Sequence, residues 1–206
     1  MKKIILPIIL LSAILLVGCS QKEKPELNEV SKETKISKAG SPEADYYIPD
    51  NLEDLVSKSE DIVKVKLIKN KIIGQYNEDE MTHTSTISEV EVLENYKGIF
   101  KKGDKIDVAE PWYLNEGAYQ SVENYIALET GKEYTMFLSD GHGEDKLSSI
   151  ESMGYGKFNE QLKEKEATLT DFDNLGEVEE YNFISDEKEE IKNYTDIKQE
   201  ISKEYN

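Results

Sequence analysis

Between residues 62 and 158, apolar and polar positions alternate with a period of two in several short runs. Residues 62–68 put Val63, Val65 and Leu67 on one side of a strand, and residues 84–93 put Thr86, Ser88, Val90 and Val92 opposite Glu89 and Glu91. Lys102-Gly103-Asp104 turns the chain into a further strand over 105–108, and Gly131-Lys132 turns it into one over 134–138. Residues 147–150 and 155–158 supply two more short strands. The pattern predicts a mainly β fold, a small antiparallel barrel or sandwich. A helical period flanks it on both sides. Leu52, Leu55 and Val56 share one face of a short helix ending near Ser59, with Asp50 as N-cap and Glu53 reaching back to it. Ile191, Tyr194, Ile197, Ile201 and Tyr205 form a looser stripe on a C-terminal helix starting at Ser185-Asp186-Glu187. Such a stripe packs on a core; a partner-binding helix is the alternative reading.

The N-terminus follows neither period. Lys2 and Lys3 precede a run over 4–17 that is apolar except for Pro7 and Ser12, followed by Gly18 and Cys19. The run is too short for the ~20 residues that cross a bilayer core, and its charged start fits an export signal. It resembles a bacterial lipoprotein signal. The resemblance implies cleavage between Gly18 and Cys19 and a diacylglycerol bearing two palmitate-type chains on the Cys19 thiol. Two chains of about 14 methylenes, at ~0.8 kcal/mol per buried methylene, contribute on the order of 20 kcal/mol of membrane affinity. The protein is then held on the cell membrane and faces away from the cytoplasm. Cys19 is the only cysteine, so the lipidated chain has no disulfide, no thiol nucleophile and no zinc–thiolate site. All 25 basic residues are lysine, which with the abundant Ile, Asn and Glu points to an AT-rich, Gram-positive host.

Charge narrows the partners. The formal net charge is −18, and losing Lys2 and Lys3 with the signal makes the mature chain more acidic still. Such a surface disfavours nucleic acid, where it would set acid against phosphate, and attachment to anionic lipid. Four segments are expected: the signal peptide (1–18), a polar, aromatic-poor disordered tether (19–45), the β-barrel domain (46–160) and an acidic, partly helical extension (161–206). The tether has a typical end-to-end distance of roughly 30 Å, several times the ~8 Å Debye length, which keeps the acidic domain clear of lipid headgroups. Residues 171–206 hold 12 Asp and Glu against 4 Lys.

The segments over 59–67, 90–98, 102–108, 131–138 and 155–158, with their Lys-Gly turns, resemble a small β-barrel domain of Gram-positive secreted proteins and lipoproteins. That domain is similar to the OB-like barrel of the netrin and metalloprotease-inhibitor family. The resemblance covers residues 52–160 and implies a fold rather than a function. Animal inhibitors of that family engage zinc through a free N-terminal cysteine amine and are tied by disulfides. Here the one cysteine carries lipid, so that mechanism and its residues do not carry over.

Candidate chemistry is sparse. Asp140, His142, Glu144 and Asp145 lie on a glycine-bearing loop that offers oxygen ligands to a hard cation, without EF-hand spacing; the same residue types build ordinary solvated hairpins. His83 and His142 are the only histidines, and a metal-dependent hydrolase would rest on them with no recognisable motif. Trp112, Tyr113 and Tyr119 form an aromatic patch after Pro111, read either as core or as a binding edge for an envelope protein or peptide. The expectation is a non-catalytic binding module with no cofactor. Metabolic labelling tests the anchor: tritiated palmitate is expected to mark the wild-type chain, and Cys19→Ser is expected to lose the label and leave the membrane fraction.

Overall fold

The computed structural model describes residues 30–205. The first helix, α1 (Leu52–Lys58), is capped by Asn51, whose side chain accepts the Asp54 N–H at 3.0 Å. Asp54 reaches back to the Asp50 N–H at 3.1 Å. The cap is therefore one residue later than Asp50 with Glu53, because Asp54 occupies the third helical position counted from Asn51. This phase buries Leu55 fully.

The sheet grows around β1 (Asp61–Ile72). A small hairpin, β2 (Tyr76–Asn77) and β3 (Thr82–His83), leads into β4 (Thr86–Lys97), which returns antiparallel to β1. β5 (Lys105–Glu110) pairs antiparallel with β4. Next come a second hairpin, β6 (Trp112–Asn115) with β7 (Ala118–Ser121), and then β8 (Glu133–Ser139) and β9 (Leu147–Ile150). β8 pairs antiparallel with both β1 and β9, and β9 pairs parallel with β5. β10 (Lys157–Phe158) adds to β8 and completes a six-stranded mixed sheet. Beyond it lie β11 (Lys163–Glu166), β12 (Tyr181–Ser185) and the second helix, α2 (Lys188–Glu204).

The fold is mainly β, as the alternation predicts, but the sheet is mixed where an antiparallel one was expected. Parity supplies the reason. The pairings β1–β4–β5–β9–β8–β1 form a circuit of five strands, and an odd circuit cannot alternate direction at every step. One pair must run parallel, and it is β5 with β9, joined through the long excursion that carries the second hairpin.

The inward residues meet as the period of two requires. Val63, Val65 and Leu67 of β1 pack against Val90, Val92, Ile106, Val108, Met136 and Leu138. Thr86 and Ser88 share this face and are also buried, while Glu89 and Glu91 point outward. In the expected strand over 155–158, Tyr155 belongs instead to a 3-10 turn (Met153–Gly156), and only Lys157 and Phe158 are extended.

Core packing crosses two of the expected segment boundaries. Residues 30–45 of the expected tether are packed: Ile36 is buried, its N–H donates to the Asp173 carbonyl at 3.0 Å, and Ser37 and Lys35 bond Tyr119 at 2.8 and 2.7 Å. Ile36 has an apolar cluster to enter, with Trp112, Tyr119 and Phe172, and that outweighs the polar composition around it. Residues 19–29 and the signal lie outside the described residues. Residues 161–205 pack on the sheet, as the apolar stripe of the C-terminal helix predicts. β11 and β12 pair in parallel, and Phe183, Tyr194, Ile197 and Ile201 share one core cluster with Leu55, Ile62 and Phe137. The helix begins at Lys188, with the Ser185 hydroxyl accepting the Glu187 N–H at 3.0 Å. It carries four lysines against five acids, so the acidity of the C-terminal part lies ahead of it rather than in it.

Tyr194 ties the helix to β10, donating to the Lys157 carbonyl at 2.6 Å. Glu200 in turn accepts the Leu52 N–H at 3.2 Å, so α2 serves as a cap for α1. Ile197→Ala is expected to destabilise the whole domain by about 2–5 kcal/mol, the range for an emptied aliphatic core site. Urea denaturation followed by circular dichroism should show one transition at lower midpoint; fraying of α2 alone would contradict this packing.

Candidate functional site

The alternation that buries Ile106 and Val108 continues to Glu110, and so drives a carboxylate into the core with no exposure. Pro111 then ends the strand. Glu110 Oε2 accepts the Tyr125 hydroxyl at 3.0 Å and the Leu128 N–H at 2.8 Å, and Oε1 accepts the Ser88 hydroxyl. Lys157 is buried in the same layer. Its Nζ donates to the Ile126 carbonyl and lies 4.7 Å from the Tyr125 ring centre and 5.5 Å from that of Tyr134. The Tyr119 hydroxyl donates to the Tyr125 carbonyl at 2.7 Å, and its ring lies 5.3 Å from that of Trp112. Burial holds the Lys157 ammonium down at about 8, with Glu110 and Glu129 opposing the shift. Burial pushes the Tyr119 and Tyr125 phenols well up, and the Glu110 charge adds to it.

This polar layer adjoins a cleft of about 250 Å³ between the sheet, the packed N-terminal strap (residues 30–45) and the C-terminal segment. Leu67, Trp112, Ile126, Leu128 and Val178 make its apolar wall, and Lys32, Glu129 and Glu179 stand among its polar residues. Lys32 pairs with Glu179, and Lys132 with Glu129 at 2.7 Å. The Trp112 indole N–H is buried with no hydrogen-bond partner.

The aromatic patch is therefore core rather than an exposed edge. Trp112, Tyr113 and Tyr119 are all essentially inaccessible, because β6 folds its hairpin over one end of the sheet and the cluster around Ile36 and Phe172 closes on it. Trp112 alone of the three reaches the cleft wall. Tyr113 stacks on His83, ring centres 4.3 Å apart.

The loop expected to gather a cation around Asp140, His142, Glu144 and Asp145 is also rearranged. Asp140 takes a positive φ and its carbonyl accepts the Gly143 N–H, while the Asp145 carboxylate accepts the Leu147 N–H: these are turn-forming roles. Among the described residues, the group with metal-ligating spacing is Glu60, Asp61 and His142. His142 Nε2 lies 2.7 Å from Asp61 Oδ2, and Nδ1 lies 3.8 Å from Glu60 Oε2. Asp61 is fully buried, and its Oδ1 accepts the Ile99 N–H at 2.8 Å. Gly98 sits against that carboxylate at φ +99°, where a Cβ would overlap it. His83 and His142 thus belong to separate clusters and share no site.

Glu110, Lys157, Glu60 and Asp61 were not singled out from the sequence. Glu110 was legible in principle, since it continues the inward register of Ile106 and Val108. Lys157, between Gly156 and Phe158, gives no such signal. Compared with protein-family models and with curated proteins, the chain matches none. Among the described residues, no helix is long and apolar enough to cross a membrane.

The buried lysine sets a pH dependence. Below pH 8 its amine is charged in both folded and unfolded chains, and the fold bears the cost of burying that charge. Between about 8 and 10.5 the unfolded chain binds more protons, so stability rises with pH. The gain is on the order of 3 kcal/mol at most. Above pH 10 the tyrosines ionise first in the unfolded chain, and stability falls. Urea denaturation at pH 7 to 11 should show this maximum, and Lys157→Met should abolish the rise while keeping the fall.

Proposed function

We propose that this chain is a lipid-anchored, extracytoplasmic, non-catalytic binding module that takes an apolar anchor residue of an envelope protein or peptide into the cleft beside Trp112. The five-strand circuit is read as an OB-like barrel, similar to that of the netrin and metalloprotease-inhibitor family. Two observations support this reading of the fold. The order β1–β4–β5–β9–β8–β1 puts the single parallel pair between the third and fifth strands of the circuit in chain order. The β1–β4 ladder is interrupted by register shifts at four places, the kind of irregularity that curls a sheet toward closure. The membrane anchor rests on Gly18 and Cys19.

The cleft carries the binding reading. Its volume of about 250 Å³ falls just below the ~300–1,000 Å³ of small-molecule sites, which favours one large side chain over a whole cofactor. Its wall is apolar and its floor adjoins charges that are already paired, so an entering side chain meets no unsatisfied ion. The acidic surface favours a partner with basic residues flanking that anchor.

Trp112 is the only tryptophan, so its emission reports on the cleft directly. The full chain in mild detergent is expected to bind the uncharged fluorophore N-phenyl-1-naphthylamine with a change in Trp112 emission. A lysine-flanked leucine peptide is expected to displace it. Ala127→Phe, which fills the cleft from a partly exposed position, should weaken the fluorophore at least about tenfold with an unchanged melting temperature. Unaltered binding in that variant would remove the cleft from the proposal.

A further inference from the structure

We propose that Glu60, Asp61 and His142 form a binding site for a first-row divalent transition-metal cation, at the opening of β1 and apart from the cleft. Each residue offers one ligand atom, and the three atoms lie within 4.8 Å of one another. Consecutive residues on a regular strand point to opposite faces. Glu60 lies on a bend immediately before β1 begins, with its N–H held by the Leu138 carbonyl at 2.8 Å. The bend lets both carboxylates face the loop between β8 and β9 that delivers His142.

The charge arrangement asks for a cation. Asp61 is a carboxylate with no exposure, and among the described residues its one ion-pair partner is His142. Lys97, which stands opposite Ile62 on β4, is committed to the Val56 and Ser59 carbonyls at 2.9 and 2.7 Å. With a neutral imidazole, Glu60 and Asp61 bring two negative charges together, and a buried carboxylate is costly unless paired. A divalent ion neutralises both. The Ile99 N–H on Asp61 Oδ1 fixes the carboxylate so that Oδ2 is the ligand, the outer-shell support usual for such sites.

Geometry and donor type choose the metal. The 2.7 Å between Asp61 Oδ2 and His142 Nε2 is a hydrogen-bond separation. Two atoms bound to one ion at ~2.0–2.1 Å with tetrahedral angles stand roughly 3.3 Å apart. The ion therefore replaces the shared proton and opens the pair by about 0.6 Å, which His142 can provide because it sits on a partly exposed loop. One nitrogen and two oxygens suit zinc, manganese or cobalt, with water at the open positions. Calcium, which takes 6–8 oxygens, is poorly served. Behind the loop, the buried Ser148 hydroxyl has no hydrogen-bond partner and packs against Gly141, next to His142.

Titration calorimetry on the metal-free full chain without an affinity tag, using zinc, manganese, cobalt and calcium chlorides, tests the site. The expected result is one equivalent of zinc or cobalt bound, tetrahedral cobalt absorption in the visible, and calcium at least about tenfold weaker. His142→Ala and Glu60→Gln, both at accessible positions, should each weaken zinc at least about tenfold. Asp140→Asn with Asp145→Asn should leave it unchanged. No binding of zinc, manganese or cobalt by the wild type overturns the proposal. So does binding that survives in the Glu60→Gln/His142→Ala double variant, or binding that is lost in the Asp140/Asp145 variant instead. None of these outcomes bears on the cleft, whose reporter is Trp112.

Discussion

β1 is hydrogen-bonded along both edges, to β4 on one side and β8 on the other, and the rest of the molecule takes its position from that strand. Its inward residues define the main core. Its first residue, Asp61, is the buried end of the imidazole–carboxylate pair, and its partner strands set where Glu110 and Lys157 enter the interior. The odd circuit through β1 then forces one parallel pair. That pair requires the long excursion between β5 and β9, which carries the second hairpin, Trp112 and the His142 loop. One constraint on pairing thus determines where all the chemistry-bearing residues come to lie.

The interior is unusually ionic for a domain without disulfides. Glu110 collects a hydroxyl from Tyr125, a second from Ser88 and a backbone amide from Leu128, and Lys157 supplies the opposing charge over two tyrosine rings. Removing one member of such a layer leaves the other charge uncompensated, while the intact layer contributes little net stability. Its effect is to fix which strand end lies under which loop. The lowered Lys157 affinity for protons is the measurable trace of that burial.

The C-terminal residues act as a buttress. α2 lays Tyr194, Ile197 and Ile201 against the outer side of the sheet, and Lys198 joins Glu164 at 2.7 Å in a pair that is only slightly exposed. The N-terminal strap does the same on another side through Ile36. The cleft exists because these two additions meet the sheet without filling the space over Leu67, Ile126 and Leu128. A bare sheet would have no such enclosure, so the cleft depends on the N- and C-terminal segments that pack on the sheet.

Local pattern alone determined that residues 62–150 are mainly strands, which of their side chains face inward, and that an amphipathic helix closes the chain. The reason is that a period of two or of 3.6 is written in neighbouring residues and needs no distant information. The lipidation signal proposed at Gly18 and Cys19 is equally local, since it lies in neighbouring residues. Tertiary structure decided the parallel pairing of β5 with β9, the burial of Trp112 and Tyr119, the packing of residues 30–45 and the gathering of Glu60 and Asp61 on His142. Each of these joins segments tens of residues apart. Asp61 and His142 are 81 positions apart in the chain, and no spacing rule spans that distance. Their meeting is set by the pairing of β1 with β8, which no local pattern along the sequence displays.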